Sequence, residues 1–119
     1  MQKSVLICED DEGIVDVATI VLQEKGYIVE STMNGSEILA KIKKNRPDLI
    51  LLDLWMPEMT GEEVASILQS QTETKDIPII IVSASKDIKK IASASQVTDY
   101  LPKPFDIIDL ENIVEKYIN

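Results

Sequence analysis

Three stretches of this chain, Val5 to Cys8, Asp48 to Leu52 and Pro78 to Val82, are short, rich in branched residues and almost entirely apolar. A strand with one wet face alternates polar and apolar residues. A strand covered by helices on both faces reads as a continuous apolar run. Runs of this kind, separated by helical periodicity, call for an α/β architecture: a parallel sheet between two helical layers. Weaker strand signals at Tyr27 to Ser31 and Thr98 to Leu101 bring the number to five.

The intervening segments are amphipathic. The first turns Ile14, Ala18, Val21 and Leu22 to one side and stops at Gly26, a helix C′ residue. The second, Ser36 to Asn45, points Ile38, Leu39 and Ile42 inward and ends before Pro47. The third opens on Thr60-Gly61-Glu62-Glu63, a capping-box spacing, and buries Val64, Ile67 and Leu68. The fourth, about Lys86 to Ser93, has only Ile88, Ile91 and Ala92 as a stripe. The fifth starts at Asp106 as N-cap, with Ile107, Leu110, Val114 and Tyr117 along one side. The order is βαβαβαβαβα over residues 1–119, with nothing left for a linker, a repeat or an output domain. At 119 residues, one domain can hide roughly two-thirds of its unfolded surface and needs no staples.

Composition removes several function classes. A formal net charge of −9 disfavours direct binding to nucleic acid or to an anionic membrane surface, both of which rely on Lys and Arg. The sequence holds no histidine, which excludes Ser-His-Asp triads and histidine-ligated zinc. The lone Cys8 cannot pair internally and reads as core, as expected in a reducing cytoplasm. The opening Met1-Gln2-Lys3-Ser4 lacks a secretory pattern, and no apolar run approaches membrane-spanning length.

The chemistry therefore rests on carboxylates, hydroxyls and lysine, and these gather where strands stop. Glu9 and Asp10 follow the first strand, Asp53 the third, Ser83 the fourth and Lys103 the fifth. In an open parallel sheet those ends face one crevice. Taken singly, Glu9, Asp10 and Asp11 could open a helix, Asp53 could be a turn residue, Ser83 a cap, and Lys103 a solvated lysine. Capping does not account for all of them falling at carboxyl ends of strands. Clustered carboxylates repel unless a cation neutralises them, and an all-oxygen donor set favours Mg²⁺. An acyl phosphate on Asp53 would meet metal, ammonium and hydroxyl together.

At these residues the sequence resembles the receiver domain of bacterial response regulators. The matching segments are Val5-Leu6-Ile7-Cys8-Glu9-Asp10-Asp11, Leu51 to Gly61 with Asp53 at its third position, Ile81-Val82-Ser83-Ala84, and Asp99-Tyr100-Leu101-Pro102-Lys103-Pro104-Phe105. The resemblance implies a flavodoxin-like fold, three-layer α/β/α, with strand order 2-1-3-4-5. It implies Asp53 as phospho-acceptor in a two-component phosphorelay, with Ser83 as its hydroxyl and Lys103 as its lysine. Mg²⁺, or Mn²⁺ in its place, would be held by Glu9, Asp10, Asp53 and the backbone carbonyl of Trp55. Tyr100 matches the switch aromatic, and Lys103-Pro104 a bond usually cis.

The implied partners are a histidine kinase or histidine phosphotransfer protein upstream. Downstream, a protein or output domain reads the face made by the fourth helix, fifth strand and fifth helix, and dimerisation on phosphorylation is compatible with this. The implied chemistry is Mg-dependent self-phosphorylation and autodephosphorylation, not enzymatic turnover.

The sequence departs from the family pattern between Ser83 and Lys103, which is shorter than usual, with Gln96-Val97 in place of a Gly-Ala pair. Without that Gly the fourth helix loses its usual left-handed terminator, so a short, shifted or poorly ordered helix is expected. Trp55 reads either as a loop hydrophobe packed on its neighbours or as a residue that shields the acyl phosphate from water or contacts the kinase. Three other readings compete. A haloacid-dehalogenase-like phosphotransferase needs a second Asp where Trp55 stands. A flavodoxin-like electron carrier would set a flavin phosphate against Glu9-Asp10-Asp11. A docking pseudo-receiver leaves the intact acids, hydroxyl and lysine unexplained.

Overall fold

A computed structural model describes residues 2–118; Met1 and Asn119 lie outside the described residues. Five strands alternate with five helices: β1 Ser4–Cys8, α1 Glu12–Glu24, β2 Ile28–Thr32, α2 Gly35–Lys44, β3 Leu49–Asp53, α3 Gly61–Gln69, β4 Ile79–Ser83, α4 Ile88–Ser95, β5 Asp99–Pro102 and α5 Ile107–Ile118. All strand pairs are parallel, in the order β2-β1-β3-β4-β5. The expected architecture and strand order both hold.

The continuous apolar runs have a direct structural cause. Along each central strand successive side chains point to opposite faces, and each face is covered. Val5, Ile7, Leu49, Leu51, Ile80 and Val82 pack with Leu22 of α1 and Leu110 and Val114 of α5. Leu6, Cys8, Ile50, Leu52 and Ile79 pack with Ile38 of α2 and Val64 and Leu68 of α3. Each large aliphatic side chain hidden this way contributes about 1.5–3 kcal/mol relative to exposure. Cys8 is buried in the second cluster, and burial pushes its thiol pKa well up, which fits packing rather than redox chemistry. Among the described residues no helix is long and apolar enough to cross a membrane.

Local signals set the helix ends. Asp11 caps α1 by accepting from the Ile14 N–H at 3.2 Å, and Gly26 follows the helix at φ 94°. Thr60 and Glu63 close the capping box on α3: Thr60 Oγ1 accepts from Glu63 N–H and Glu63 Oε1 accepts from Thr60 N–H, both at 3.1 Å. Asp106 Oδ1 accepts from Asp109 N–H at 2.9 Å at the head of α5. The expected α5 stripe needs one correction. Ile107 is half exposed, and Leu110, Val114 and Ile118 form the buried row with Tyr117 partly covered. Ile107 precedes the point where α5 settles onto the sheet.

α4 is short, as expected: eight residues, starting at Ile88 rather than near Lys86, with Ile88 and Ala92 buried. Asp87 at its head makes no side-chain cap. The loss of a left-handed terminator is not observed. Gln96 takes that conformation itself at φ 55°, its N–H reaching the Ala92 and Ser93 carbonyls. A non-glycine residue pays roughly 1–2 kcal/mol for this backbone. The side-chain amide of Gln69, at the end of α3, donates to the Gln96 carbonyl at 2.8 Å and braces the turn.

Candidate functional site

The register brings the strand-end residues together. Cys8 stands opposite Leu52, so the next residues, Glu9 and Asp53, emerge side by side. Asp53 pairs with Val82, leaving Ser83 one step further along β4. Ser83 pairs with Pro102, and the Lys103 N–H donates to the Ser83 carbonyl at 2.9 Å. Four strands thus deliver Glu9, Asp53, Ser83 and Lys103 to one end of the sheet.

Their side chains converge. Carboxylate oxygens of Glu9, Asp10 and Asp53 lie within 4.8 Å of one another. Lys103 Nζ is 2.6 Å from Glu9 Oε1 and 3.7 Å from Asp53 Oδ1. The other Glu9 oxygen accepts from the Asp10 and Asp11 N–H groups at 3.1 and 3.2 Å. Glu9 and Asp53 are buried, Asp10 is exposed, and Ser83 is 1% exposed with its Oγ accepting from Ser85 N–H at 3.1 Å. Of the opening acidic trio, only Asp11 acts as a helix cap; its neighbours belong to the pocket.

Crowding has an electrostatic consequence. The Asp53 pKa is pushed up to about 7, first by burial, then by a hydrogen bond and repulsion from Glu9. Lys103 and the Trp55 N–H, 3.5 Å from Asp53 Oδ1, act the other way but do not compensate. Near neutral pH the three acids therefore hold more negative charge than one lysine balances. A divalent cation bound by these hard oxygen donors would resolve this, so the residues fit a Mg²⁺ site.

The loop after Asp53 is built against the site. Gly61 N–H donates to the Leu54 carbonyl at 2.8 Å, and a Cβ there would lie 2.5 Å from the Asp53 carbonyl oxygen. Gly35 N–H donates to the Pro57 carbonyl at 3.2 Å, tying in the neighbouring loop, and Glu58 takes φ 73°. The sequence reading missed the part of Gly61; a glycine in the first turn of a helix, where no turn demands one, was its signal. Leu54 and Met56 are buried on either side of Trp55, which is 60% exposed. Trp55 is thus not packed on its neighbours. Tyr100 is half-buried against Leu54, Ile81 and Ile88, and Lys103-Pro104 is cis as the resemblance implies. Beside the acids, an open cavity of about 500 Å³ is lined by Ile14, Val17, Ala84, Lys103 and Phe105.

Comparison with known proteins agrees. The family model described as the response regulator receiver domain matches residues 5–115. The DNA-binding response regulator MtrA of Mycolicibacterium smegmatis is 33% identical over 88% of this chain and 46% of its own length. The chain spans about half the length of the curated relatives it matches. Among solved structures, the chemotaxis response regulator CheY4 of Vibrio cholerae superposes with a TM-score of 0.91 at 32% identity, covering 98% of this chain and 99% of that one. The receiver domain of the sensor histidine kinase PA1611 from Pseudomonas aeruginosa, solved with a magnesium ion coordinated in its active site cleft, gives 0.90 at 25% identity, covering 99% and 98%.

Proposed function

The chain belongs to the response regulator receiver family, and we propose that within it Asp53 takes a phosphoryl group from a histidine kinase or a histidine phosphotransfer protein. The observation that carries this reading is the convergence of Glu9, Asp10 and Asp53 within 4.8 Å, with the Lys103 ammonium 3.7 Å from the Asp53 carboxylate. Glu9, Asp10, Asp53 and the Trp55 carbonyl would hold Mg²⁺, or Mn²⁺ in its place. When bound, that cation neutralises the acids and the incoming phosphoryl oxygens.

The residues of the chain do the remainder. An ionised Asp53 oxygen attacks phosphorus in line; the N–P bond of the phosphohistidine breaks as the O–P bond forms, and its electron pair returns to the imidazole nitrogen. Lys103, now held by Glu9 at 2.6 Å, turns to the new phosphoryl group as a point positive charge. Ser83 has its lone pair on the Ser85 N–H and its own proton free to donate. Drawing Ser83 inward opens space for Tyr100, which leans on Ile88 of α4. The face of α4, β5 and α5 then changes for a downstream protein or output domain, a population shift biased by contacts made only with the phosphoryl group. The chain is accordingly a cytoplasmic signalling domain whose only chemistry is its own phosphorylation and hydrolysis. Exposed Trp55 shields the acyl phosphate, and the cavity beside Lys103 receives the donor.

Incubation with acetyl phosphate and Mg²⁺, followed by intact mass, tests the assignment. Wild type should gain one phosphoryl group and Asp53→Asn none. An adduct that survives in Asp53→Asn would overturn Asp53 as acceptor.

A further inference from the structure

A second polar cluster lies outside the acidic pocket, at the amino end of β5, where Asp99 opens the strand that Lys103 follows. Adjacent residues of that strand face opposite layers. Tyr100 joins Ile88 on the α4 side, while Leu101 joins Leu110, Val114 and Ile118 on the α5 side. Asp99 also reaches α5. Its Oδ2 accepts from the Tyr117 hydroxyl at 2.6 Å and lies 3.9 Å from Lys116 Nζ. Its Oδ1 accepts from the Tyr100 N–H at 2.8 Å. One carboxylate therefore grips the backbone of Tyr100 with one oxygen and the last turn of α5 with the other.

We propose that Asp99 and Tyr117 form a latch between β5 and α5, with Tyr117 a positioning residue that carries displacement of Tyr100 into α5. A shift of the Tyr100 backbone must turn the Asp99 carboxylate, and that carboxylate cannot turn without pulling on the Tyr117 hydroxyl. The half-buried Tyr117 ring fixes where the hydroxyl sits. Lys116 is exposed and more distant, so it trims the charge of Asp99 without joining the linkage. The inference rests on Tyr100 as the switch residue and deepens that reading by naming the route to α5.

Backbone amide shifts in ¹⁵N-labelled protein, with and without Mg²⁺ and beryllofluoride, test it. In wild type the amides of Ser83, Tyr100 and Leu110 to Ile118 should all respond. In Tyr117→Phe, which keeps the ring, Ser83 and Tyr100 should respond as in wild type while the α5 response falls about two-fold or more. Asp99→Asn should uncouple α5 likewise, and Lys116→Ala should not. An undiminished α5 response in both Tyr117→Phe and Asp99→Asn overturns the latch alone. A wild-type Tyr100 that stays still overturns the switch reading, and the latch falls with it.

Discussion

The loops on the two sides of Asp53 are built differently. After β3, the chain from Leu54 to Gly61 is held by the Gly61–Leu54 and Gly35–Pro57 backbone bonds and by the two-way Thr60–Glu63 box. After β4, the Ser83 and Ser85 hydroxyls accept only from the N–H groups of Ser85 and Asp87 in the turn that follows, α4 starts without a side-chain cap, and its buried anchor cluster is Leu54, Ile81 and Ile88. Lys89 and Lys90 also sit in the first turn of α4, the end where a helix dipole disfavours positive charge. The rigid side carries the acceptor and the loose side carries the switch. A site needs fixed oxygens for metal and phosphoryl geometry, whereas a signal needs an element whose alternative states differ by little free energy.

Disturbing the rigid side should cost most. Gly61→Ala forces a Cβ toward the Asp53 carbonyl and should lose about 3 kcal/mol in urea denaturation, together with Mg²⁺ affinity. A neutral or stabilising effect, as at an ordinary exposed helical Gly→Ala change, would mean the loop is not closely braced.

The next effect is electrostatic. Asp53 titrates near 7 in the folded, metal-free protein against 3.8 when unperturbed. Because the folded pKa is the higher, its contribution is fully present below about pH 4 and is lost as pH rises through 7. The shift sets a ceiling of about 4 kcal/mol, and rearrangement of Glu9 and Lys103 brings the expectation to about 2. In EDTA, wild type should lose stability between pH 4 and 8 while Asp53→Asn does not, and Mg²⁺ should restore wild type at pH 8. Parallel pH curves for the two proteins would remove the crowded-acid account.

On the loose side the changes are smaller. Gln96→Gly relieves the left-handed backbone and should stabilise by about 1 kcal/mol, read in urea. A destabilisation would mean the Gln96 side chain contributes a contact that outweighs its strain. Trp55→Ala should leave stability within about 0.5 kcal/mol, yet shorten the phospho-Asp53 lifetime about two- to five-fold, under about 1 kcal/mol of barrier. An unchanged decay rate would remove the shielding role.

Much of this was legible residue by residue. The unbroken apolar runs announced strands buried on both faces, and the caps at Thr60 and Asp106 announced where helices begin, because these signals act over three or four residues. The polar residues at strand ends, with neither histidine nor a second cysteine to complicate the donor set, narrowed the chemistry to hard-cation and phosphoryl chemistry. Tertiary structure alone decided who pairs with whom. Glu9 rather than Asp53 holds Lys103 most closely, Gly61 is required because the Asp53 carbonyl lies over it, and Asp99 reaches a tyrosine eighteen residues on. Gln96 ends α4 because Gln69 of another helix braces it. Those outcomes depend on distances between segments remote in the chain, set only once the sheet register and helix packing exist, and no local pattern encodes them.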